Sequence, residues 1–225
     1  MSLLARLIQS SLGKKFLMAV TGLGLFLFII AHMLGNLQVF LGAEAINRYA
    51  HFLKSNPEIL WSSRIGLLAM AIIHVTTSIA LTLENRASRD TQYAVYQPVK
   101  ATFTSRTMIV SGSIIFTFVL FHLAHYTLLT VQPEYRNLRD AHGHHDVYRM
   151  VVDGFSNSWF AGFYVLSVGL LCFHLSHGIA AMFQSLGLKN DAYAERIECF
   201  AKSVAVILFV GYASVPVSVA LGLVK

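Results

Sequence analysis

Five long apolar runs constrain this chain more than any other feature. They cover residues 15–41, 60–83, 106–130, 159–186 and 199–223, and each exceeds the ~20 residues a helix needs to cross a bilayer. In hydrocarbon each backbone amide must find its partner within its own segment. The runs are therefore predicted as helices, and residues 1–225 as a single integral-membrane domain, an all-α transmembrane bundle of five helices.

Charge agrees with this. Charged residues make up 12% of the chain, about half the ~25% of a soluble domain. That excludes a disordered or fibrous chain and argues against an ordinary soluble enzyme. The net charge of +6 and pI of about 9.4 would suggest a nucleic-acid partner in a soluble protein. Here the basic residues flank apolar runs and read as topology signals, so no nucleic acid is expected. The first run follows Arg6, Lys14 and Lys15. It exceeds a signal peptide's apolar stretch of about 7–15 residues and shows no small-x-small cleavage pattern, so it reads as a retained helix. With the N-terminus inside, ten of the 17 basic residues are cytoplasmic, and an N-in, C-out orientation is expected. The two cysteines, Cys172 and Cys199, form no C-x-x-C. This argues against a disulfide framework, a self-held iron–sulfur cluster and covalently attached c-type haem.

Four of the five runs carry internal histidines: His32; His74; His122 and His125; His174 and His177. A lone buried histidine can simply bond a neighbouring carbonyl, but ionisable groups in hydrocarbon are costly and mark function by default. At ~1.5 Å per residue, His32 and His122 lie roughly 25 Å from the inner end of their helices, while His74 and His174 lie roughly 14–18 Å from it. The histidines thus form an outer and an inner pair, offset by roughly 10 Å. Depth does not choose between His122 and His125, or between His174 and His177.

Two facing imidazoles at each of two depths suit a bis-histidine haem b, which exchanges electrons and has no open position for oxygen. Zinc would want three or four ligands on one point, and a proton relay would want carboxylates between the histidines. Glycines at positions 22, 24, 35, 112, 169 and 178 would let a flat ring, or simply another helix, approach the backbone. No internal repeat is evident. The loops are too short for a second folded domain, so catalytic machinery is expected to dock from outside. The longest, residues 131–158, contains H-G-H-H-D at His142–Asp146, which reads as a solvated loop before it reads as a metal site.

Several local motifs are also recognisable. They are S-S-L-G-K-K at Ser10–Lys15, A-H-M-L-G-N at Ala31–Asn36, N-R-Y-A-H-F-L at Asn47–Leu53, S-R-T-M at Ser105–Met108 and F-H-L-S-H-G at Phe173–Gly178. On these residues the chain resembles the five-helix, two-haem cytochrome b (b558-type) membrane anchor of succinate dehydrogenase and menaquinol:fumarate reductase. The resemblance implies a subunit of a respiratory and tricarboxylic-acid-cycle enzyme, in the inner (cytoplasmic) membrane of a prokaryotic cell. It also implies a flavoprotein partner with covalent FAD, an iron–sulfur partner, menaquinone as the membrane substrate, and pairing as a dimer of heterotrimers.

The resemblance further implies site residues. His32 and His122 would ligate an outer haem, His74 and His174 an inner one, with His125 and His177 beside the ligands or the haem propionates. Ser11, Lys15, Arg106 and Lys189 are the residues expected to hold the inner propionates. Some relatives carry a glutamate for proton movement two residues before the fourth-helix ligand. That position is Cys172 here, which argues against that path; Glu58 in the outer loop and the His142–Asp146 cluster are the two candidate proton acceptors. The rival readings are a cytochrome b of a hydrogenase, formate dehydrogenase or nitrate reductase, and a haem-free transporter or scaffold.

Overall fold

A computed structural model of the chain describes residues 9–88 and 107–225. Helix α1 (Ser11–Leu37) starts where the Ser10 hydroxyl accepts from the Gly13 amide (3.0 Å) and continues into a 3-10 turn, Gln38–Leu41. Gly42, at φ 96°, takes a conformation that side chains with a Cβ rarely adopt, and the chain turns there into α2, Ala43–Ser55. Pro57 opens α3 (Pro57–Ala87) at the position where a missing amide hydrogen costs nothing. Helix α4 is Met108–Tyr126, followed by a 3-10 turn at Pro133–Asn137 and by α5, Val147–Ser156. Helices α6 (Ser158–Ser185) and α7 (Ala194–Ala220) complete the chain. Among the described residues the sole strand-like feature is a bridge between Arg139 and His145.

The helices α1 with its 3-10 turn, α3, α4, α6 and α7 are long and apolar enough to cross a membrane, with mean hydropathies of 1.7–2.2. They match the five expected runs, shifted by a few residues. Helix α4 ends at Tyr126 rather than near residue 130, because the chain reverses at Leu129 (φ 52°) and the Thr130 amide returns to the Ala124 carbonyl. The short helices α2 and α5 were not expected; both lie in what the sequence presents as connecting segments.

Four helices form a ring: α1 packs on α3 and α6, and α4 packs on α6 and, more sparingly, α3. Helix α7 lies outside the ring against α6 and α1. Lipid is as apolar as leucine, so this packing rests on close fit rather than on escape from water. The small residues Ala201 and Ala205 on α7 are buried against α6 for that reason, and Gly211 leaves room for Met33 of α1. Ile65 and Leu68 of α3 and Ile207 of α7 are exposed, as lipid-facing residues would be.

We call the end where α1 begins proximal and the opposite end distal. Two ion pairs close the proximal end. Lys14 of α1 pairs with Glu84 of α3, and Lys189 pairs with Glu198 of α7 (2.9 Å). The distal end is capped by α2 and α5. Asn47 of α2 is buried; its amide donates to Asp146 Oδ1 (2.9 Å) and its oxygen accepts from the Tyr148 amide (2.9 Å). The same Asp146 oxygen caps α5 through the Arg149 amide (3.0 Å).

Candidate functional site

Histidines stand on both diagonals of the ring. His32 of α1 and His122 of α4 have ring centroids 5.8 Å apart with planes at 79°. Two imidazoles sharing one metal ion at bonds of about 2 Å have their centroids about 6 Å apart, so the spacing fits an ion held between them. Phe28 stacks on His32 at 5.3 Å. Tyr212 of α7, 6.2 Å from His32, donates its hydroxyl to the Ile29 carbonyl (2.6 Å) and holds that stretch of α1 in place.

The other diagonal carries His74 of α3 and His174 of α6. Both are gripped in the same way by the neighbouring helix. His74 Nδ1 lies 3.2 Å from the Met18 carbonyl and 3.4 Å from Thr21 Oγ1, with its Cε1 against Gly22. His174 Nδ1 lies 3.0 Å from Ser111 Oγ, with its Cε1 against Gly112. The Thr21 and Ser111 hydroxyls donate backward to Leu17 and Met108 carbonyls, so their oxygens are left to accept. A carbonyl also accepts only. Each imidazole therefore carries its proton on Nδ1 and presents a bare Nε2, the form a metal ligand requires.

The two levels stand further apart than the sequence suggests. From Gly22 to His32 on α1, and from Gly112 to His122 on α4, the rise is about 15 Å at 1.5 Å per residue, not the expected 10 Å. Segment ends are poor rulers, because α3 and α6 start and stop at planes of their own. The equal spacing is also an internal repeat that the sequence reading missed. Thr21-Gly22 precedes His32 as Ser111-Gly112 precedes His122, and this pattern would have singled out Thr21 and Ser111.

The remaining expected residues sort by position. His125 is fully buried with both ring nitrogens engaged, Nδ1 at 3.0 Å from the Tyr164 hydroxyl and Nε2 at 2.7 Å from Gln132 Oε1. His177 is half-buried, within the field of the Lys189–Glu198 pair. Ser11 and Lys15 are exposed in the first turn of α1. Lys14, rather than Lys15, reaches across to α3. Glu58 is exposed at the distal start of α3. Arg106 lies outside the described residues. Cys172 is buried in the α6–α7 core. In the distal loop His51 and His144 stack at 3.6 Å, and among the described residues no group of three such side chains is placed to hold a metal ion. Burial, with Lys54 and Arg139 adding, holds the His145 imidazole below its usual 6.5.

Ring, diagonals and apolar exterior define a multi-pass helical membrane protein with paired interior imidazoles. The family model described as succinate dehydrogenase/fumarate reductase transmembrane subunit matches residues 82–213, more than half of the chain. The chain belongs to that family, and so is a membrane subunit of a succinate dehydrogenase or fumarate reductase complex. The matched stretch contains His122 and His174 but not His32 or His74. No curated protein and no solved structure matches the chain significantly.

Proposed function

We propose that the chain is the diheme cytochrome b anchor of a succinate:quinone oxidoreductase, passing electrons between an iron–sulfur subunit and menaquinone. His32 with His122 and His74 with His174 would hold the two b haems, the first pair at the distal level and the second at the proximal level. The observation that carries this is the pair of diagonals in a chain of this family. His32 and His122 face each other on one diagonal, His74 and His174 stand on the other at a second level, and His74 and His174 each have Nε2 free by hydrogen bonding. Haem b bound at these sites supplies reversible one-electron exchange.

The chain's own residues do the rest. Met18, Thr21 and Ser111 fix ring orientation and tautomer. Gly22 and Gly112 let the imidazoles lie against helix backbone. Phe28 and Phe118 keep the distal level apolar. Ser11, Lys15, Arg106 and Lys189 sit toward the proximal end in sequence, where anionic propionates would meet positive charge, with His177 beside them. Glu58 marks the distal side as the place for a proton acceptor near quinone. The proximal end faces the cytoplasm in this reading, and the flavoprotein and iron–sulfur subunits dock there. The setting is the inner membrane of a prokaryotic cell, and two heterotrimers pair.

The test is a reduced-minus-oxidised spectrum of the purified complex, with haem counted per chain. Two b haems per chain are expected. A colourless preparation would sink the electron-transfer reading, and one haem would mean that a histidine pair is wrongly assigned.

A further inference from the structure

His122 differs from His74 and His174 in what holds it. Its Nδ1 has no carbonyl partner but lies 3.4 Å from the Tyr164 hydroxyl. That hydroxyl lies 3.0 Å from His125 Nδ1, and His125 Nε2 lies 2.7 Å from Gln132 Oε1. The reversal at Leu129 is what folds Gln132 back beneath His125. The four side chains form one row, from the distal imidazole pair to the distal loop.

Such a row can be polarised in either of two directions, and its far end decides which. Gln132 Oε1 only accepts. With that oxygen on His125, the His125 proton must be on Nε2, and Nδ1 must accept. The Tyr164 hydroxyl then donates to His125, and its oxygen accepts from His122 Nδ1–H. His122 Nε2 is left bare toward His32. Were the amide of Gln132 reversed, each proton would shift by one bond and His122 Nε2 would carry hydrogen, which no metal ligand can. The structure shows the first direction: it is Gln132 Oε1 that stands 2.7 Å from His125 Nε2.

We propose that Gln132, acting through His125 and Tyr164, is a positioning residue that holds His122 in its ligand tautomer and tunes the haem at the distal level. The proposal rests on the ligand assignment above. A hydrogen bond from Nδ1 makes Nε2 a stronger donor, and stronger donation favours the oxidised metal, so breaking the row raises that haem's midpoint potential.

The experiment is a redox titration of the whole complex carrying Gln132→Leu, Tyr164→Phe or both, with haem counted in each. Tyr164→Phe should raise one midpoint, Gln132→Leu should raise the same midpoint by less, and the double variant should match Tyr164→Phe alone. A link further out has nothing to act through once the inner link is gone. Additive shifts, a Gln132→Leu shift on the other haem, or no shift would overturn the proposal. So would loss of a haem in Gln132→Leu while Tyr164→Phe keeps both. Failure of the underlying assignment looks different: a His122→Ala complex would keep both haems.

Discussion

His74 Nδ1 reaches 3.2 Å to the Met18 carbonyl, so an imidazole on α3 is oriented by the backbone of α1. The contact exists because Gly22 has no side chain in its path; an added Cβ would stand 3.3 Å from His74 Cε1. At Gly112 the corresponding distance to His174 is 3.6 Å, an ordinary contact. Gly112→Ala should therefore leave haem content unchanged, Gly22→Ala should lower it slightly, and Gly22→Leu should lower it by about half through loss of one of two bis-histidine sites. Haem per chain in purified membranes checks this; full occupancy in Gly22→Leu would count against His74 as a ligand.

His122 and His125 are one helical turn apart but differ in freedom. His125 spends both nitrogens on Tyr164 and Gln132, whereas His122 faces His32. His122→Ala is expected to remove about half of the haem, while His125→Ala keeps both haems. The opposite result, with His125 indispensable and His122 not, would reverse the assignment.

Asn47 ties α2 to the N-cap of α5. Truncation to alanine leaves the Tyr148 amide without its partner at a partly buried position and removes the bond to Asp146. Leaving such a group unsatisfied costs about 2 kcal/mol, or about 6 °C in Tm for a chain of this length. Thermal unfolding in detergent should show this loss with haem content intact; an unchanged Tm would mean that the distal cap adds little to stability.

The distal loop should loosen in acid. His145 is held below 6.5 by burial, with Lys54 and Arg139 adding and Asp146 and a Leu138 backbone bond opposing. Its folded pKa is the lower one, so the unfolded loop binds the extra proton. Stability is full above about 6.5 and falls as pH drops through the folded value. Hydrogen exchange of residues 138–146, corrected for intrinsic rate, should quicken between pH 7.5 and 5.5, and His145→Gln should flatten the change. Equal quickening in both proteins would place the sensitivity elsewhere.

The Lys14–Glu84 pair is partly exposed, with side-chain exposures of 16% and 41%. Glu84→Gln should cost no more than about 1 kcal/mol, and the charge-swapped double variant should recover it. A larger loss that the swap fails to recover would mean that Glu84 has another partner.

The five spans were legible because crossing hydrocarbon demands length and apolarity, which are properties of the sequence itself. The six histidines inside four of these runs stood out because an ionisable group in such a run is conspicuous. Their grouping into two levels was legible too, since a helix converts residue number into depth. The spacing of those levels was not, because it depends on how far α3 and α6 slide along α1 and α4. Helices α2 and α5 escaped notice because each is short and only half apolar, and each is positioned by Asn47 and Asp146 meeting across about a hundred residues of chain. That Lys14 pairs with Glu84 could not be read without knowing which side of α1 faces α3.

What the sequence determined by itself is therefore the class: five membrane helices, four bearing histidine, in the order of this family. What tertiary structure decided is which histidine nitrogens are engaged and which are left free. That depends on partners supplied by other helices and loops: the Met18 carbonyl for His74, Ser111 for His174, and Tyr164 and Gln132 for His125. Helix periodicity places a side chain on a face, but only packing brings up the acceptor that fixes its proton.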